Sequence, residues 1–149
     1  ELNGQGIFTS PDGTINKGQF KDGKQNGQGM TIFGPGQWHG DKYEGQFKNG
    51  EWHGQGTFTH ANGAIYKGEY RNNKRTGYGI LIFGAGQWHG DRYQGEFRNG
   101  LFNGQGTYTF TDGRRNIGEY KNDKVWNVKH YNSYGRYTGS WVNGVLQNQ

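Results

Sequence analysis

Aromatic and glycine residues alternate with polar ones along this chain, and the alternation recurs. In Tyr43-Glu-Gly45-Gln-Phe47 the first, third and fifth residues fall on one side of an extended strand, leaving Glu44, Gln46 and Lys48 on the other. Asn49-Gly50 follows, a pair that tolerates positive φ and predicts a tight hairpin turn. The return segment puts Gly54, Gly56 and Phe58 on the aromatic face and Gln55, Thr57 and Thr59 opposite. The same string returns over Tyr93–Tyr108, and related copies start at Asn16, Tyr66, Asn116 and Tyr137. Residues 3–8 read as the second half of an earlier copy.

Starts at 16, 43, 66, 93 and 116 are spaced 27, 23, 27 and 23, so the larger unit is a 50-residue pair whose longer member carries a four-residue loop insertion. Self-similarity of this kind sets the fold. It predicts an all-β, elongated, twisted, single-layer antiparallel meander of tandem hairpins with about a dozen strands. Residues 1–149 form one array, with a partial copy over 1–15 and copies starting near 16, 43, 66, 93, 116 and 137. Glycine weakens a strand but permits close approach, so the Gly face is expected to leave slots for rings from neighbouring hairpins. After Asp123 the Gly-x-Gly step gives way to Val125-Trp126-Asn127-Val128-Lys129-His130-Tyr131. Terminal repeats must cover an open end. Residues 124–149 are therefore expected to be a divergent C-terminal cap, with a partner-binding surface as the alternative.

Composition changes this picture in one respect. Only 29% of the residues are hydrophobic and 30 are Gly, a balance that alone would suggest disorder. The 16% aromatic content reverses that, because each ring buries a large area for few side-chain torsions. There is no cysteine, which excludes disulfides, thiolate metal sites and cysteine nucleophiles. No apolar run approaches the roughly 18 to 20 residues of a membrane span. The net charge of +5 is spread along the chain, compatible with acidic partners and too weak to diagnose nucleic acid.

The string Tyr-x-Gly-x-Phe-x-x-Gly-x-x-His-Gly-x-Gly, complete at Tyr43–Gly56, resembles the MORN (membrane occupation and recognition nexus) repeat over nearly the whole chain. The resemblance implies the elongated hairpin array. It also implies a protein-interaction and dimerisation module, with phospholipid contact suggested by the name. Asn16 and Asn116 depart from the leading Tyr, and Asn73 and Asp123 from the turn Gly. The chain opens in mid-repeat, as a piece of a longer array or protein would.

Two constellations are candidates for contact. The loops Gly36-Gln37-Trp38-His39-Gly40-Asp41-Lys42 and Gly86-Gln87-Trp88-His89-Gly90-Asp91-Arg92 lie on one sheet edge, four strands and roughly 19 Å apart. Tryptophan is favoured at interaction hot spots and loops carry function. The plainer reading folds each Trp over its own hairpin and lets each Asp close a turn. Trp52 and Phe102 are expected to be aromatic tips on the opposite edge. The second constellation is a row of cations, Lys21, Lys48, Arg71, Arg98 and Lys121, one per hairpin on the polar face and roughly 10 Å apart. Such a row suits anionic head groups. Glu69, Glu96 and Glu119 stand two places before the later members and are expected to compensate them, leaving the charge unbalanced in the N-terminal half.

Other chemistries find little support. Two ligands per loop at His39/Asp41 and His89/Asp91 are too few for a metal, and His53 is expected to order its hairpin turn. The rings and the cations occupy opposite faces, so a single-stranded nucleic-acid platform is not expected. The glycine-rich Gly34–Gly40 segment lacks a following Lys-Ser/Thr and an amphipathic helix, which argues against a phosphate loop. Ser10, Ser133 and Ser140 lack a nucleophile-elbow context, and Asp12 and Asp112 sit in turn sequences. The expectation is a non-catalytic scaffold without a cofactor. It binds a peptide, a helix or a second copy of itself through an aromatic and Gly-lined groove and through Trp38, His39, Trp52, Trp88, His89 and Phe102. The alternatives are a peripheral membrane adaptor using Lys21, Lys48, Arg71 and Arg98, and an accessory region of a larger enzyme. A cytoplasmic location, with membrane or cytoskeletal association, goes with these readings.

Overall fold

The computed structural model describes residues 1–147; residues 148 and 149, the last of the expected cap, lie outside the described residues. Thirteen antiparallel strands form one open sheet whose spatial order is the chain order. They are β1 (Gly4–Thr9), β2 (Ile15–Lys21), β3 (Lys24–Ile32), β4 (Lys42–Lys48), β5 (Glu51–Thr59), β6 (Ile65–Arg71) and β7 (Lys74–Ile82). There follow β8 (Arg92–Arg98), β9 (Leu101–Thr109), β10 (Arg115–Lys121), β11 (Lys124–Tyr131), β12 (Tyr137–Val142) and β13 (Val145–Gln147). This is the expected single-layer hairpin meander. Both residues of every tight turn, from Asp22-Gly23 and Asn49-Gly50 to Asn143-Gly144, have positive φ. That geometry matches the right-handed twist of the flanking strands, which is why Asn, Asp and Gly occupy it.

Each long return strand carries a bulge. Between the pairs Gly45↔Gly56 and Phe47↔Trp52, Gln46 alone opposes His53, Gly54 and Gln55. The Gln46 side chain closes the gap by accepting the Gln55 amide at 2.7 Å, as Gln19 does for Gln28 at 2.8 Å. Glu96 accepts the Gln105 amide in the same way. The Gln46 carbonyl, opposite the bulge, takes the Tyr43 hydroxyl at 2.9 Å, and Tyr66 and Tyr93 repeat this with Glu69 and Glu96 at 2.9 and 3.0 Å. The carbonyl opposite the bulge takes a donor from the ring face, and the leading residue is a tyrosine rather than a phenylalanine because its hydroxyl supplies one. His53 stands inside the bulge rather than at the turn it was expected to order.

The core is a row of rings on one face of the sheet. Phe47, Tyr43, Tyr70, Tyr66, Phe97, Tyr93 and Tyr120 make successive edge-to-face contacts, centroids 5.0 to 5.2 Å apart. Each such pair contributes about 0.5–1.5 kcal/mol beyond its buried area. Contrary to expectation, the Gly slot is filled mainly from within its own hairpin: a Cβ on Gly56 would lie 2.5 Å from Cε2 and 2.6 Å from Cζ of Tyr43.

Where the tyrosine is missing, the slot changes with it. In the copy led by Asn16, buried Gln25 donates to the carbonyls of Lys17 and Met30, and the Thr31 hydroxyl donates to Asn16. In the copy led by Asn116, fully buried Val128 takes the place opposite Gly118 that other hairpins give to glycine. That hairpin has one extra residue where the others have two. One extra residue reverses the alternation, and Trp126 accordingly meets Lys121, whose ammonium lies 3.9 Å over the ring.

Candidate functional site

The loops Phe33–Asp41 and Phe83–Asp91 cross the ring face at one edge of the sheet. Backbone bonds from Phe33 to Asp41 (3.0 Å) and from Gly40 to Phe33 (3.2 Å) pinch the first loop at its base, and the second repeats them. The aspartates do more than close turns. Asp41, only 6% exposed, accepts the Ala61 amide at 2.8 Å and faces His60 Nδ1 at 3.2 Å. Asp91 accepts the Thr111 amide at 3.0 Å and the Tyr108 hydroxyl at 2.7 Å. Each carboxylate therefore ties its loop to the next connection along the edge. Burial first, and then this bond to Asp91, pushes the Tyr108 phenol above its ordinary range. Asp91→Ala strips acceptors from an amide and a hydroxyl, so it should cost about 2 kcal/mol. A thermal melt reads the loss, and faster hydrogen exchange at the Thr111 amide would localise it.

So anchored, each loop holds its tryptophan at the rim of an open groove. Trp38 and Trp88 are each 49% exposed. The first groove, 460 Å³, runs from Trp38 over Phe33, Trp52 and Phe58 to Tyr70 and Arg75. The second, 490 Å³, runs from Trp88 over Phe83, Phe102 and Tyr108 to Tyr120 and Val125. The two are copies of one site shifted by the 50-residue period. Arg75 lines both, as their common wall.

Trp52 and Phe102 are not tips. Trp52 is half-buried and Phe102 buried, their rings stacked on Tyr43 and Tyr93, respectively, with centroids 4.5 and 3.7 Å apart. They form the groove floors because Trp52 lies directly opposite Phe47 and Phe102 opposite Phe97. His39 and His89 are exposed on the loops and line neither groove. Sequence reasoning missed Arg75, which occupies the register position of Trp52 and Phe102 in its own hairpin. Its guanidinium carbon lies 5.4 Å from the Tyr66 ring centre and 5.5 Å from that of Phe97, and Nη2 donates to the Gly100 carbonyl at 2.9 Å. The signal was available: the ninth residue after each copy's start is Gln25, Trp52, Arg75, Phe102 or Val125, and Trp52, Arg75 and Phe102 are laid against their leading tyrosines.

The cation row is present on the exposed side: Lys21, Lys48, Arg71, Arg98 and Lys121 are all exposed. The expected compensation by glutamate is not its arrangement. Glu96 turns to the Gln105 amide and Glu119 to the Asn127 side-chain amide at 2.8 Å. Among the described residues no member of the row is ion-paired; the pairs are Lys42–Glu44, Arg114–Asp112 and His60–Asp41. Asp12 and Asp112 accept the amides of Thr14 and Arg114 two residues on, as turn residues do.

The family model of the MORN repeat matches residues 1–15, 17–38, 43–65, 66–88, 93–114 and 137–148. The hairpin of β10 and β11 falls between two matches. No curated protein matches the chain.

Proposed function

Since the chain belongs to the MORN repeat family, a class of non-catalytic repeats that contact proteins or membranes, we propose that it is a protein-interaction scaffold whose docking site is the pair of ring-lined grooves. One observation carries this reading: the same groove is built twice at the 50-residue spacing, each time with a half-exposed tryptophan on its rim. A tryptophan serving only as core would be covered. A half-covered ring over an open apolar floor is the arrangement found at binding hot spots, where truncation costs about 2 kcal/mol or more. Trp38→Ala and Trp88→Ala should therefore each weaken a captured protein partner by about 30-fold while leaving the melting temperature nearly unchanged. Lys21→Glu with Lys48→Glu should have little effect. Equal capture by wild type and the double Trp variant in a quantitative pull-down would end this reading.

The unpaired cation row supports a second reading, a peripheral contact with anionic lipid through the opposite side of the sheet. It requires co-sedimentation with anionic but not neutral vesicles, falling steeply as salt rises through the physiological range. Absence of pelleting at physiological salt removes it.

A further inference from the structure

Among the described residues Arg75 is the one cation stacked on the ring row between the two grooves, and its chemistry is incompletely used. One N–H meets the Gly100 carbonyl, and the guanidinium plane lies against two rings. Among the described residues no carboxylate lies within ion-pair distance of it. No buried side-chain nitrogen among them lacks a partner, so the remaining guanidinium donors are open to the groove and solvent. A guanidinium stacked on aromatic rings with its donors open recognises carboxylates well. Lys74, exposed and lining the first groove, adds a second positive charge. At the far end the charge changes sign: the second groove has Asp123 where the first has neutral Asn73, Val125 where the first has Arg75, and Phe110 where the first has His60.

Spacing and backbone chemistry restrict the occupant further. Equivalent points of the two grooves are four strands, about 19 Å, apart. The floor consists of rings, while the strand backbones beneath are paired on both sides within the sheet. An extended peptide would find no ladder to join and would leave its amides unmet, whereas a helix satisfies its own. At 1.5 Å per residue about 13 helical residues cover that span, and the nearest spacing that also returns to the same side of a helix is about 14, or four turns.

We infer that the paired grooves take an amphipathic α-helix bearing two bulky apolar side chains about 14 residues, or four turns, apart, with an Asp or Glu between them over Arg75 and Lys74. The inference rests on the grooves being the interaction site. Its orientation follows from the charges: the acidic stretch faces the first groove, and a basic residue at the other end faces Asp123.

A phage-displayed library of 20-residue segments, selected on the full chain, tests this. Enriched peptides should carry a carboxylate midway between two large apolar residues about 14 positions apart and should gain helicity on binding, as read by circular dichroism. Their affinity should fall at least about tenfold with Arg75→Gln and also with Lys74→Glu. Lys74 packs on nothing in the core, so its variant keeps the test valid if Arg75→Gln disturbs the sheet. Peptides that lose binding with Trp38→Ala and Trp88→Ala, yet show no acidic preference and ignore both charge variants, would overturn the inference and leave the groove reading standing. Anchors five or six residues apart without helicity would overturn the helix. Binders indifferent to both tryptophans, or no binders at all, would overturn the groove reading itself.

Discussion

Raising the pH from 9 to 11 is expected to unfold the array. Burial, the largest cause in each case, pushes the phenols of Tyr43, Tyr66, Tyr70, Tyr93 and Tyr120 well above their ordinary range. In the unfolded chain these groups ionise near pH 10. A folded-state pKa raised above the unfolded one gives stability that is complete below about pH 10 and is lost as pH climbs towards the folded value. Each group loses about 1.4 kcal/mol per pH unit in that window. Five together withdraw about 7 kcal/mol by pH 11, as much as many domains have. Far-UV circular dichroism should therefore be lost in one steep transition between pH 10 and 12, and the tyrosinate absorbance of these five phenols should rise with it. Tyrosinate absorbance that reaches its full value for all ten tyrosines while the dichroism holds would show that the rings are not buried. Tyr93→Phe supplies an internal check. It removes the 3.0 Å bond to the Glu96 carbonyl and should cost about 1 kcal/mol at neutral pH, yet move the alkaline transition upward.

The same burial explains how so polar a sequence folds. A single-layer sheet has no second layer to cover its rings, so they cover one another. Each leading tyrosine packs on the last ring of its own strand and on the last ring of the next hairpin's first strand, as Tyr43 does with Phe47 and Tyr70. Contacts therefore run only between neighbours, as in other linear repeat proteins. The grooves arise where the longer loop leaves part of the ring row open instead of covering it. Binding surface and core are in this sense one set of side chains, and Trp52 and Phe102 belong to both.

The strands and their faces were legible because two local rules agree. Period-two alternation marks Tyr43, Gly45 and Phe47 as one face, and Asn49-Gly50 fixes the turn and hence the register. Trp52 was misplaced as a tip because it follows the turn so closely. Its parity with Gly54, Gly56 and Phe58 already put it on the ring face, since the bulge in β5 adds two residues and leaves the alternation intact. Arg75 stayed hidden for a different reason: a cation at a ring position contradicts the hydrophobic pattern, and only the stacked geometry on Tyr66 and Phe97 resolves the conflict. The Asp41 and Asp91 ties were invisible too, because each joins loops about 20 residues apart with no periodic signature. Likewise, glutamates two places before the cations suggested compensation, but Glu96 takes the bulge amide of Gln105 and Glu119 the side-chain amide of Asn127.

A large loss from a single added atom is expected at Gly45. An alanine Cβ there would stand 2.5 Å from the Gln55 carbonyl oxygen, 2.5 Å from Gly56 Cα and 2.9 Å from the Tyr43 hydroxyl. Two of these neighbours are backbone on the paired strand, which cannot yield without parting β4 from β5. The third is a ring with zero exposure and hence no room to move. Gly45→Ala should cost about 3 kcal/mol, at the upper end of overpacking effects. Gly95, one 50-residue unit on, meets the same three groups at 2.5, 2.5 and 2.8 Å, so Gly95→Ala should cost as much. Gly36, on the Trp38 loop, has nothing within 4 Å of its would-be Cβ; its φ of +142° alone penalises alanine there, so Gly36→Ala should cost clearly less. Urea melts of the three variants would separate contact from backbone strain: if Gly36→Ala proves as damaging as the other two, the Gly slot is not what locks the hairpins. If Gly45→Ala and Gly95→Ala are equally damaging, each should open its own hairpin first, because the units are coupled only through their neighbours. Hydrogen exchange should then show faster opening at β4 and β5 in one variant and at β8 and β9 in the other.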